Sequence, residues 1–97
     1  MIKWKYKPSG YCPVQAEGWF LNYYFYFRAR GVTGRIDFSR SEVEWENDII
    51  IKQYNLYNTN EMYKAGHLNH NFCKLLIYIG CFKFLLSLLY DKAKKSL

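Results

Sequence analysis

The run CKLLIYIGCFKFLLSLLYDKAKK, from Cys73 to Lys95 in a segment whose character changes near Leu68, constrains the fold more than any other part of the chain. It is leucine-rich, lacks proline and is long enough for a helix of several turns. Its polar residues do not gather on one side: at ~100° per residue Lys74 and Lys83 fall on opposite faces. A helix apolar nearly all round has to be buried between other elements, buried in an oligomer, or placed in lipid. Residues 75–90 fall short of the ~20 needed for a membrane span, and Lys83 at their centre would cost about 2.5–3.5 kcal/mol. No span is therefore expected, and a buried or interfacial helix is favoured. One sheet face covers only about half of such a cylinder, and monomers rarely leave so large an apolar remainder exposed. The pattern predicts self-association or partner binding through the far side of the helix. A symmetric homodimer is the simplest form, with Leu86 in contact and Lys83 near the rim.

The preceding residues supply the sheet. Met1 to Lys7 alternates, with Ile2, Trp4 and Tyr6 expected on one face and Lys3, Lys5 and Lys7 on the other, an edge strand ended by Pro8-Ser9-Gly10. Residues 13–30, PVQAEGWFLNYYFYFRAR, read as a hairpin about a two-residue Leu21-Asn22 turn. That register sets Ala16 opposite Phe27 and Gly18 opposite Phe25, small against large, on one face. The other face pairs Glu17 with Tyr26 and Trp19 with Tyr24. Leu21 is a poor residue for a tight primed turn. Gly31 to Gly34 predicts another turn, Arg35–Ser39 a third strand of this meander, Ser41 to Glu44 a capping box, and 48–57 a further strand. The expected fold is α+β: a single domain over residues 1–97, with a twisted antiparallel sheet of four to five strands and a long C-terminal α-helix.

An aromatic share of 21%, ten residues of it Tyr, suits a core, an interface or a base-stacking surface alike. The net charge of +6 raises the expectation of an anionic partner, although simple solubility explains it equally well. Cys12, Cys73 and Cys81 are odd in number and lack framework spacing, and no signal peptide is expected because Met1 to Lys7 alternates apolar and charged residues. Free thiols in a reducing cytoplasm are the expectation.

His67, His70 and Cys73 are spaced by three, so on a helix they would share a side, with Cys12 or Cys81 available to complete a zinc set. Structural zinc sites usually announce themselves with ligand pairs at two places, so ordinary polar residues at a helix start are favoured, and no metal or cofactor is expected. No nucleophile elbow, glycine-rich phosphate loop or recognisable Cys/His motif is present, so the chain reads as non-catalytic. The most suggestive stretch is Tyr24 to Arg30, where Tyr24, Tyr26, Arg28 and Arg30 share a face. Such a face can stack unpaired bases and hold phosphates, but the glycine of the RNP1 pattern is missing. Trp19, Tyr24, Tyr26, Arg28 and Arg30 are the expected partner-binding residues, because aromatics and arginines dominate interface energetics. A protein partner is the first expectation, for example a nucleic-acid-processing complex, and single-stranded nucleic acid the second.

The segments Cys12 to Gly18 and Phe25 to Gly31 (CPVQAEG and FYFRARG), with Ala65-Gly66 opening the helix region, resemble small proteins of bacteria and their phages. The resemblance spans roughly residues 12–90 and implies the same strand–hairpin–helix order. It brings no activity and no functional residues, and the apolar helix of this chain departs from it. Of 97 residues, 43 are Phe, Tyr, Met, Ile, Asn or Lys, the amino acids of AT-rich codons, which fits a phage or other mobile element. By analogy, the expectation is an inhibitor of host defence machinery, similar in kind to anti-CRISPR proteins.

Overall fold

The computed structural model describes residues 1–95. Five strands follow one another as neighbours in an antiparallel meander: β1 (Ile2–Ser9), β2 (Val14–Phe20), β3 (Tyr23–Arg30), β4 (Thr33–Ser39) and β5 (Lys52–Asn58). A short helix α1 (Glu42–Glu46) lies between β4 and β5. A 3-10 turn at Ala65–His67 leads into the long helix α2 (His70–Lys95). This is the α+β order that the sequence predicts.

The central hairpin has the predicted register, unbroken from Val14 opposite Ala29 to Phe20 opposite Tyr23. Leu21 and Asn22 form the two-residue turn, both at positive φ (52° and 67°), as a type I′ turn requires. The side-chain sorting that pointed to this register is realised in the packing. A Cβ on Gly18 would meet Phe25 Cε2 at 3.0 Å, so the ring lies directly over the glycine. The next turn needs only Gly31-Val32, and β4 therefore begins at Thr33, two residues earlier than expected. The strand expected over 48–57 starts later, at Lys52, because Ser41 caps α1 and the chain leaves that helix only through Asn47 and Asp48.

One expectation for β1 is corrected. Trp4 pairs with Gly18, but the next aligned pair is Tyr6 with Glu17, so a bulge intervenes at Lys5. The extra residue carries Tyr6 to the opposite face from Ile2 and Trp4, beside Glu17. A second irregularity leaves Leu56 without an aligned partner in β4, and both Leu56 and Tyr57 pack against the core.

The core lies between one sheet face and α2. The sheet contributes Val14, Ala16, Phe25, Phe27, Ala29, Ile36 and Phe38. The helix contributes Cys73, Leu76, Ile77, Gly80, Cys81 and Phe84, spaced three and four apart on one stripe. Phe84 stacks on Phe38 with centroids 4.2 Å apart and planes within 4°. Gly80 permits close approach: a Cβ there would lie 2.9 Å from Ile36 Cγ2. Burial pushes the Cys73 thiol up to about 11 and that of Cys81 to about 12. By length and composition α2 could cross a membrane, with a mean hydropathy of 1.9, yet a third of that window is buried within the protein. Leu85 and Leu88 pack partly against the core, and the side of the helix carrying Leu75, Ile79, Phe82, Leu86 and Leu89 is exposed.

Candidate functional site

The sheet face away from α2 carries Gln15, Glu17 and Trp19 from β2, Tyr24, Tyr26, Arg28 and Arg30 from β3, and Arg35, Asp37 and Ser39 from β4. All five partner-binding residues expected from sequence are on this face, but α1 divides it. Ser41 accepts the Glu44 N–H at 3.1 Å, which starts the helix. One turn later Trp45 lies across the strands, its ring 4.5 Å from that of Tyr26 and 5.8 Å from that of Tyr24.

The half beneath Trp45 is closed and polar. Tyr24 donates its hydroxyl to Glu17 Oε1, and Lys5 approaches the same oxygen at 3.7 Å while binding Glu42 at 2.8 Å. Burial, and then the bond to Glu17, lifts the Tyr24 hydroxyl well above the ordinary tyrosine range. Tyr6 is lifted for the same reasons. Asp37 is 3% exposed and fully engaged, receiving Trp45 Nε1 at 3.1 Å and Gln53 Nε2 at 2.8 Å, with Arg35 Nε at 3.6 Å. Tyr24 must therefore be removed from the contact residues. It is completely buried, because Trp45 and Trp19 close over it. Tyr26 is half-buried, with its hydroxyl bonded to Gln15 and its ring against Trp45. Neither tyrosine presents a free ring face to a base.

The other half is open and basic. Arg28 stands directly opposite Arg35, and like charges in that position repel. Arg35 turns to Asp37. Arg28 Nε is buried and, among the described residues, has no hydrogen-bond partner. Arg30 is exposed next to it. Arg28, Arg30, Gly31, Val32, Thr33 and Arg35 line a surface recess of about 410 Å³. Trp19 lies at the far end of the face, half-buried, with Lys3 Nζ 5.9 Å from its ring centre. It belongs to a separate shallow depression with Met1, Lys3, Leu21 and Asn22. Sequence reasoning missed Arg35 and Trp45. Arg35 follows from strand alternation once the Gly31-Val32 turn is counted as two residues. Trp45 was legible only as the fourth residue after a capping Ser.

Cys12, 55 residues from His67 in sequence, lies with its Sγ 3.0 Å from His67 Nε2, and Tyr11 stacks on His70 at 4.7 Å. His67, His70 and Cys73 do not share a helix face as their spacing suggested. His67 precedes α2, and Cys73 is buried in the core. Among the described residues no group of three or more His, Cys, Asp or Glu side chains is placed to hold a metal ion.

Fold and face together define the class: a five-strand antiparallel meander with one helix-covered side and one side split between an aromatic lid and an arginine recess. Set against known protein families, curated proteins and solved structures, the chain matches none.

Proposed function

We propose that this protein is a non-catalytic binding module that engages an acidic protein surface through the recess formed by Arg28, Arg30 and Arg35. The observation that carries the reading is the recess that Arg28, Arg30 and Arg35 line together, with Arg28 directly opposite Arg35. A carboxylate fits the planar guanidinium fork. Carboxylates from a partner would pair with the guanidinium groups lining the recess and relieve the repulsion between Arg28 and Arg35. Tyr26, two residues before Arg28 on the same strand face, and Trp19, at the other end of the face, supply further contacts.

Single-stranded nucleic acid is the alternative anion. Stacking energy per base, about 1–3 kcal/mol, needs open ring faces. With Tyr24 buried and Tyr26 against Trp45, the protein partner is the better-supported reading. The finer reading is inhibition of a host nucleic-acid-processing complex by a phage or mobile-element protein in the cytoplasm. It rests on the hairpin resemblance and on the residue usage.

The test compares the wild-type chain with an Arg28→Glu/Arg30→Glu variant as baits in a nuclease-treated bacterial lysate. Proteins held by the wild type and lost by the variant, with release by moderate salt, support the proposal. A fluorescent oligonucleotide that binds wild type tightly and Arg28→Glu/Arg30→Glu weakly, with no such protein retained, would replace it with the nucleic-acid reading.

A further inference from the structure

The outward side of α2 carries Leu75, Ile79, Phe82, Leu86 and Leu89, at successive spacings of four, three, four and three residues. That is the a/d pattern of a coiled-coil seam, and at ~100° per residue it lies opposite the stripe buried on the sheet. These five side chains and the neighbouring Tyr78 are each between 41% and 59% exposed. Together they present apolar surface on the order of 600 Å² at ~200 Å² for a whole large side chain. This is the upper limit for a monomer's apolar patch, and two such surfaces would bury about 1,200 Å², the threshold of a stable interface.

We infer that a second copy of this chain covers the seam, its α2 packed antiparallel to the first about a two-fold axis near Phe82. Leu75 of one copy then lies opposite Leu89 of the other, and Ile79 opposite Leu86. Charge selects the direction. Lys92, Lys94 and Lys95 crowd the last turn, and no acidic residue occupies the first. A parallel pair would bring two lysine-rich ends together. An antiparallel pair separates them by nearly the full helix length, about 39 Å, and opposes the helix dipoles. Beside Phe82 an apolar groove of about 570 Å³, lined by Ile2, Trp4, Phe20, Tyr78, Phe82 and Leu85, offers the partner's ring a place to seat. Lys83 is exposed at the opposite rim and keeps its ammonium in water. Both arginine recesses, on the sheet faces away from α2, stay accessible, so the dimer presents two identical binding faces.

Sedimentation velocity in detergent-free buffer at tens of micromolar tests the association. The expected mass is twice the 11.7 kDa chain mass. Phe82→Glu and Leu86→Glu should each weaken the dimer at least a hundredfold with unchanged circular dichroism. Direction is read in a Cys12→Ser background under mild oxidation. A mixture of Leu75→Cys and Leu89→Cys chains should cross-link, and either alone should not. A monomer at these concentrations overturns the inference, as does a monomer that floats with phosphatidylcholine vesicles, which would assign the seam to lipid. Efficient self-cross-linking of Leu75→Cys alone would overturn the antiparallel arrangement.

Discussion

Trp45 donates its indole N–H to Asp37 at 3.1 Å, and this bond fixes the ring that closes over Tyr24 and Tyr26. A residue of a five-residue helix thus decides which part of the outer sheet face is core and which is surface. Trp45→Phe keeps an aromatic ring, though a smaller one, and removes one donor from a buried carboxylate. It should destabilise the fold by about 1–3 kcal/mol, read as a lower urea midpoint at unchanged m-value. Equal midpoints would mean that Gln53 and Arg35 satisfy Asp37 by themselves.

Glycine at two positions is required by close contact. Alanine at position 80 would gain about 1 kcal/mol of helix propensity. Its methyl would press into Ile36, which is fully buried, and overpacking costs about 1–3 kcal/mol. Gly80→Ala is therefore expected to lower thermal stability slightly. Gly18→Ala should do more harm, because its methyl would collide with the Lys3 carbonyl, a backbone atom that no rotamer change can move. The measurement is the ranking of the two melting temperatures, with Gly18→Ala the lower.

Leu21 holds φ 52° in the hairpin turn, a conformation that costs a leucine roughly 1–2 kcal/mol. Leu21→Asn should recover about 0.5–1 kcal/mol, because asparagine tolerates the left-handed region and suits a type I′ turn. A decrease in stability would show that the contacts of the covered half of the Leu21 side chain outweigh the backbone strain.

The hairpin was legible in sequence because its residues are complementary in size: Ala16 needs Phe27 and Gly18 needs Phe25, and a one-residue slip destroys both pairings. The face of Tyr6 was not legible, since the bulge at Lys5 inserts a residue without a compositional mark. Tyr24 was misassigned for another reason. Its cover, Trp45, arrives from an element 21 residues away that local alternation cannot place. In α2 the uniform apolarity hid the buried stripe, although Cys73, Gly80 and Cys81 mark it by size, small residues where helix and sheet approach closely. The arginine recess was half legible: Arg28 and Arg30 came from their strand, Arg35 only from the register of the next.

The three thiols should separate cleanly in reactivity. Cys12 is exposed beside His67, whereas Cys73 and Cys81 are buried in the core with thiols that hold their protons. Titration of the native protein with an aromatic disulfide reagent near neutral pH should release about one equivalent quickly, and the remaining two only after denaturant is added. Cys12→Ser should abolish the fast phase. Three fast equivalents would mean that α2 leaves the sheet readily.

Stability should fall at alkaline pH, and the direction follows from the same thiols. Burial raises Cys73 to about 11 and Cys81 to about 12, against about 8.5 in an unfolded chain. Between those limits the unfolded state has released protons that the folded state retains, so rising pH favours unfolding. The contribution is whole below about pH 8.5 and is lost as pH climbs toward 11–12. Each buried thiol adds a slope of about 1.4 kcal/mol per pH unit where the two states differ fully. Above about pH 10 the tyrosines join in, since Tyr24 and Tyr6 keep their protons in the fold and lose them when unfolded. Urea midpoints should therefore be flat from pH 6 to 8, decline from pH 9, and steepen beyond pH 10. A Cys73→Ala/Cys81→Ala variant, less stable at neutral pH through lost packing, should show no decline until the tyrosine region. A parallel decline in the variant between pH 9 and 10 would assign the alkaline limb to groups other than the buried thiols.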